Sequence, residues 1–159
     1  MRVLGVDPGL HGALALIDDE IGLTVVQDMP VVRVGKTSVI SEGLLRELIR
    51  DLSPNHAFVE RVHSMPKQGV VSSFNFGMGY GLLRGVLAGL GISTTLVTPN
   101  EWKRAMRLGP DKGEARVIAG RVFPLNARDF ARVRDDGRAE AALLAFYGMG
   151  HTSFRVPTL

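Results

Sequence analysis

The chain has 159 residues, no cysteine, 45% hydrophobic residues and a formal net charge of +3, with a mean hydropathy of +0.13. These values exclude disulfides, thiolate catalysis and cysteine-based zinc sites, and they fit a reducing cytoplasm. No apolar run approaches the ~20 residues that span a bilayer, and no basic segment precedes an apolar signal core, so one cytoplasmic domain over 1–150 with a tail at 151–159 is expected.

The chain opens with a short apolar run, Val3, Leu4 and Val6, that reaches one acid at Asp7 and turns through Pro8-Gly9 and Gly12 into a second run, Ala13–Ile17. Apolar runs bounded by turn formers predict strands over Arg2–Val6, Ala13–Ile17 and Leu23–Gln27, an antiparallel meander. An aspartate at the end of a buried strand is costly unless a cation or turn amides meet its charge, and the stretch alone leaves both open. Met29–Val39 reads as a polar, proline-containing connector carrying Arg33 and Lys36.

From Ser41, a fitting N-cap, Leu44, Leu45, Leu48, Ile49 and Leu52 recur at helical spacing until Ser53-Pro54. Ala57-Phe58-Val59 is a short buried strand ending at Glu60, which repeats the first pattern of an apolar strand closed by one acid. A polar, basic stretch with His63 and Lys67 follows. Ser72–Gly91 then predicts a helix despite Gly77, Gly79, Gly81, Gly85 and Gly89, each of which weakens a helix by ~1 kcal/mol relative to alanine. Such density of glycine suggests close approach of another backbone, and for Gly85 and Gly89 the expectation is tight packing against the sheet.

Ile92–Val97 is a β-branched strand, and Thr98-Pro99-Asn100 caps a short helix carrying Trp102, read as core, with Lys103 and Arg104. Pro110–Gly113 is a turn, Glu114–Phe123 a basic amphipathic helix, and Arg128–Arg134 a charged loop. A last helix over Asp136–Gly148 is apolar at Ala139, Ala142, Leu143 and Phe146. Between Glu101 and Arg138, ten basic residues stand among six acids, which suggests a polyanionic partner, with a solvated face as the plain alternative. The order of elements predicts an α/β domain with a mixed sheet.

Asp7 and Glu60 end two strands that would bring them to one cleft if paired, because neighbouring strands lie ~4.8 Å apart. Asp136 and Glu140 share a helix face. Four converging carboxylates would repel and raise one another's pKa, and oxygen-only ligands without cysteine suit Mg²⁺ or Mn²⁺. Two such ions ~4 Å apart support in-line phosphodiester hydrolysis. Asp136 also suits an N-cap, and capping or salt bridging fits Asp135.

The segments GVDPGLHGALAL around Asp7, FVERVHSMPKQG around Glu60 and DDGRAEAALLA around Glu140 resemble the RuvC family of Holliday junction resolvases, especially its bacteriophage-type members. Phe74–Leu90 and Pro99–Lys103 fit the family's order, so the resemblance covers nearly the whole chain. It implies a ribonuclease H-like fold with a mixed five-stranded sheet, three antiparallel strands then two parallel, flanked by helices. It also implies a homodimer that nicks two opposing strands of a four-way DNA junction with Mg²⁺, leaving 5′-phosphate and 3′-hydroxyl ends. The metal ligands carry over onto Asp7, Glu60 and Glu140. Where typical bacterial members place Asp or His three residues before the last acid, this chain has Gly137, so Asp136, or Asp135 in its place, is expected to serve. His63 stands where the family often has an aromatic wedge. Candidate DNA contacts are His63, Lys67, Phe74, Phe76, Lys103, Arg104, Arg107 and Lys112. A ribonuclease H-like nuclease of broader branched-DNA or RNA specificity, and a non-catalytic junction-binding protein, are the competing expectations.

Overall fold

The computed structural model describes residues 1–63, 69–109 and 111–152, with Lys112 described by its backbone alone. Strands β1 (Arg2–Asp7), β2 (Ala13–Asp18) and β3 (Gly22–Asp28) form the meander, and a β4–β5 hairpin (Val31–Val34, Thr37–Ile40) follows. Helix α1 (Glu42–Leu52), β6 (His56–Glu60), α2 (Val70–Gly89), β7 (Ser93–Val97), α3 (Pro99–Ala105) and α4 (Lys112–Val122) come next. Two 3-10 segments, Pro124–Phe130 and Val133–Asp135, lead into α5 (Asp136–Thr152). The five-stranded sheet has the order β3-β2-β1-β6-β7, antiparallel among β1, β2 and β3 and parallel from β1 through β6 to β7.

The expected connector is a two-stranded hairpin in its middle. Val31, Val32, Val34, Thr37, Val39 and Ile40 are all β-branched and flank a two-residue turn in which Gly35 takes a φ of 61°. A glycine first in such a turn matches the twist of a hairpin, and this signal outweighs Pro30, Arg33 and Lys36. The stretch expected as a loop over Arg128–Arg134 is largely 3-10 helix, and α5 continues past Gly148 to Thr152. Ser41 caps α1 by accepting a hydrogen bond from the Leu44 amide, and Ser53 ends it in the left-handed region.

Strand periodicity sorts the side chains between two cores. Leu4, Val6, Ala57 and Val59 pack with α1 and α2 through Leu45, Ile49, Leu83 and Leu87. Val3 and Phe58 point to the other face, against α4 and α5. Residues 3, 5 and 7 of β1 and residues 58 and 60 of β6 therefore share the face that α5 covers. Helix α5 lies very close to β1: a Cβ at Gly5 would stand 2.1 Å from the Ala141 carbonyl oxygen and 2.4 Å from the Ala145 nitrogen. Only glycine permits that approach, which places the first turns of α5 over the carboxyl ends of β1 and β6. Arg138 anchors α5 across the sheet by a two-pronged ion pair to Asp28 on β3, at 2.5 and 2.7 Å.

The tight packing expected of Gly85 and Gly89 is absent. Both are exposed, and a Cβ at either would meet nothing within 4 Å. Helix α2 instead packs through Leu83 and Leu87, and the glycine stripe faces outward.

Candidate active site

Val6 pairs with Val59 in the parallel register of β1 and β6, so Asp7 and Glu60 stand one residue further on in adjacent strands. Glu140, on the second turn of α5, reaches the same region. Asp7 is pushed up to about 7, first by burial and then by the charges of Glu140 and Glu60. The amide of Gly9 offsets little of this, donating to Asp7 Oδ1 at 3.4 Å. Burial also raises Glu60, with Glu140 adding to the effect. Three acids from distant parts of the chain are thus electrostatically coupled.

Consecutive residues of α3 restrain two of them. Trp102 is buried, as expected of a core residue, and its Nε1 also donates to Glu60 Oε1 at 3.0 Å. Lys103 Nζ makes an ion pair with Glu140 Oε1 at 2.6 Å. Thr98 caps this helix with its hydroxyl and Pro99 supplies the fixed φ of its first residue, so local sequence fixes the direction in which both side chains leave.

Asp136 lines the cleft with Asp7 and Glu140, and Arg116 Nε of α4 holds its Oδ1 at 2.7 Å. Asp135 is buried, caps its 3-10 turn and is gripped by Arg132, which holds its carboxyl below the usual range. It does not line the cleft, so of the two neighbouring aspartates Asp136 is the one placed there. Gly137 explains how α5 comes so near. A Cβ at that position would lie 2.5 Å from the His11 carbonyl oxygen, 2.9 Å from Gly12 Cα and 3.0 Å from Asp7 Oδ2.

The cleft has a volume of about 790 Å³, and Lys36 of the hairpin turn and Ser72, Asn75 and Phe76 of α2 line it with Asp7, Asp136 and Glu140, while Glu60, held by Trp102, does not line it. Sequence reading did not single out Ser72, Asn75 or Arg116 as site residues, and it placed Lys36 in a connector. The only signal would have been the VGK turn, which brings Lys36 to the cleft mouth. Among the remaining candidates, Lys103, Arg104 and Arg107 line an adjoining open cavity of about 1170 Å³. His63 is exposed just beyond β6, and Phe74 is exposed on α2 without lining the cleft. Lys67 and the side chain of Lys112 lie outside the described residues.

Among the described residues, no group of three or more His, Asp or Glu side chains is drawn closely enough together to hold a metal ion as placed. The chemistry of the donor set nonetheless suits a hard divalent cation: partly buried carboxylates, of which Asp7 and Glu60 are raised by burial and by the charge of Glu140, oxygen donors only, and an ammonium group already drawn onto one of them.

No family model and no curated protein sequence matches the chain. Among solved structures, it is similar to Thermus thermophilus RuvC in complex with a Holliday junction substrate, with a TM-score of 0.66 and 14% identity over 95% of this chain and 96% of that one. The fowlpox virus Holliday junction resolvase matches with a TM-score of 0.54 and 16% identity, over 96% and 99% of the two chains. The yeast mitochondrial resolvase Ydc2 matches with a TM-score of 0.54 and 13% identity, over 96% and 81%. The chain therefore shares the fold of these resolvases, a mixed five-stranded sheet flanked by helices.

Proposed function

We propose that this chain is a divalent-metal-dependent endonuclease that resolves four-way DNA junctions by paired phosphodiester hydrolysis, acting as a homodimer. The observation that carries this reading is a cleft lined by Asp7, Asp136 and Glu140, with Glu60 close enough to act on Asp7 electrostatically, beside a cavity walled by Lys103, Arg104 and Arg107. Likeness in fold to proteins that act on such junctions supports it, and the three sequence motifs favour a bacteriophage-type member. In this reading Asp7, Glu60 and Glu140, with Asp136 at the rim, would hold Mg²⁺, which would activate water and stabilise the leaving oxygen of an in-line displacement.

The chain's own residues have separable tasks. Asp7 sits deepest and faces both other acids. Trp102 fixes the rotamer of Glu60 through its indole N–H. Lys103 neutralises Glu140 before DNA arrives and lies between the acids and the cationic wall, where it can follow an incoming phosphate. Arg104 and Arg107 position the backbone without reading bases.

The homodimer reading has its own support. Helix α2 carries one charged residue, Arg84, in 20, and its outer face exposes Val70, Val71, Phe74 and Met78 beside Gly77, Gly81, Gly85 and Gly89. A helix ~30 Å long with an uncharged face and glycines at four-residue spacing suits a second copy of itself, since glycine lets helix axes come closer than the usual ~8–10 Å.

The test is cleavage of labelled four-way, three-way, flap, linear duplex and RNA–DNA substrates by pure protein with Mg²⁺. Symmetric paired nicks on the four-way junction alone support the proposal. Equal cleavage of all branched or hybrid substrates supports the broader nuclease, and binding without cleavage under any metal supports the non-catalytic protein.

A further inference from the structure

Beside the acidic cleft runs a second groove of about 330 Å³, between the β4–β5 hairpin and α2. Its walls are largely apolar, from Leu10, Ile40, Phe76 and Met78, and its polar groups are the hydroxyl of Ser38, the amide of Asn75 and the carboxylate of Glu42, an acceptor for an exocyclic amine. Leu10 and Met78 are 41% and 52% exposed, which leaves them open to a ligand. Leu10, Ser38, Asn75 and Phe76 line both this groove and the acidic cleft, so the two cavities are continuous. Lys36 and Lys103 line the acidic cleft itself.

We propose that this groove is a nucleobase pocket, which receives one unstacked base of the strand whose phosphate lies in the acidic cleft. The inference rests on the nuclease reading and deepens it by naming what the neighbouring groove recognises. A phosphodiester drawn between Lys36 and Lys103 has its base one sugar away, and the continuous walls lead that base onto Phe76. A planar heterocycle suits such walls because every base offers a π-face to an aromatic side chain. Asn75 supplies paired donor and acceptor atoms that match the edge of one base better than another, adenine being the base an amide reads best. The groove therefore gives the enzyme a base preference next to the cleaved bond. The hairpin, which closes one side, is what builds it.

The experiment uses four-way junctions carrying 2-aminopurine at successive positions around the cleavage site, bound to full-length protein with the Asp7→Asn substitution so that no strand is cut. One position is expected to brighten severalfold on binding. Ser38→Leu, which narrows the groove from the hairpin, and Asn75→Trp, which fills it from the helix, are each expected to abolish that signal while junction affinity stays within about threefold. With Asp7 intact, Asn75→Ala is expected to flatten the cleavage preference between bases at that position at least fivefold. Brightening that survives both fillings, or no brightening at any position in a bound junction, overturns the pocket and leaves the nuclease reading standing. Failure of the protein to bind a junction at all overturns the nuclease reading, and the pocket with it.

Discussion

Lys103 Nζ lies 2.6 Å from Glu140 Oε1, so the acidic cleft holds a counter-ion of its own. An ammonium and a divalent cation compete for the same carboxylate. Lys103→Met is therefore expected to tighten Mn²⁺ binding severalfold in protein without DNA, measured by calorimetry. It should also lower metal-free stability by on the order of 1 kcal/mol, because the partly buried acids lose a compensating charge. Unchanged or weaker Mn²⁺ binding would show that Lys103 is no competitor.

Asp7 should behave as a buried acid whose proton is lost late. Its folded pKa of about 7 lies above the ordinary 3.8, so its contribution to stability is complete below pH ~4 and fades as pH rises through 7. The metal-free protein is expected to lose on the order of a few kcal/mol across that window. Asp7→Asn should flatten the loss, as should saturating Mg²⁺, which favours the ionised form. The same substitution should lower cleavage at least 100-fold while junction binding persists, since the phosphate contacts lie elsewhere. Chemical denaturation from pH 4 to 8, paired with a gel-shift and nicking assay, tests both halves.

Gly137→Ala is expected to act on geometry alone. Its methyl group would meet backbone atoms of His11 and Gly12 that cannot swing aside, so the start of α5 must retreat from β1. A stability loss of about 1–3 kcal/mol is expected from such overpacking, together with weaker Mn²⁺ affinity as Glu140 moves away from Asp7. Thermal unfolding and calorimetry measure the two effects.

Arg107 takes a φ of 56°, in the left-handed region that side chains rarely adopt. Relief of that strain in Arg107→Gly should raise stability by up to ~1 kcal/mol. The lost charge should weaken junction binding and reduce the slope of log K against log salt by about 1. Binding and salt slope both unchanged would remove Arg107 from the DNA surface.

Gly81→Glu separates folding from assembly. A Cβ there meets nothing within 4 Å, and exchanging glycine for glutamate strengthens an exposed helix by about 0.5 kcal/mol. If two copies meet through α2, sedimentation should show a well-folded monomer where the parent chain is a dimer. A dimer that tolerates the charge lies on another surface.

The sheet, the helix order and the acids at the strand ends were legible because short-range rules govern them. Period-2 alternation set the face of Asp7 and Glu60, and Ser41 and Thr98 announced their helices. What the sequence left hidden depends on three-dimensional neighbours. The Arg116 partner of Asp136 sits 20 residues away on another helix, and nothing local links them. The hairpin was obscured by Pro30 and its charges, although VVRVGKTSVI carries the β-branched pattern. At Gly85 and Gly89 the sequence shows only that a side chain is missing, and whether a neighbour fills that space is a property of the fold, where a Cβ at either position meets nothing within 4 Å. Gly137 looked like a missing ligand, whereas in the fold it is the reason α5 can reach β1.

The most direct test of the central claim is anomalous diffraction from crystals of the full chain grown with Mn²⁺. The account predicts peaks bounded by Asp7, Glu60 and Glu140, with Asp136 at the edge and Lys103 displaced from Glu140. Peaks elsewhere on the surface, or none in the cleft while the Lys103–Glu140 pair stays intact, would contradict it.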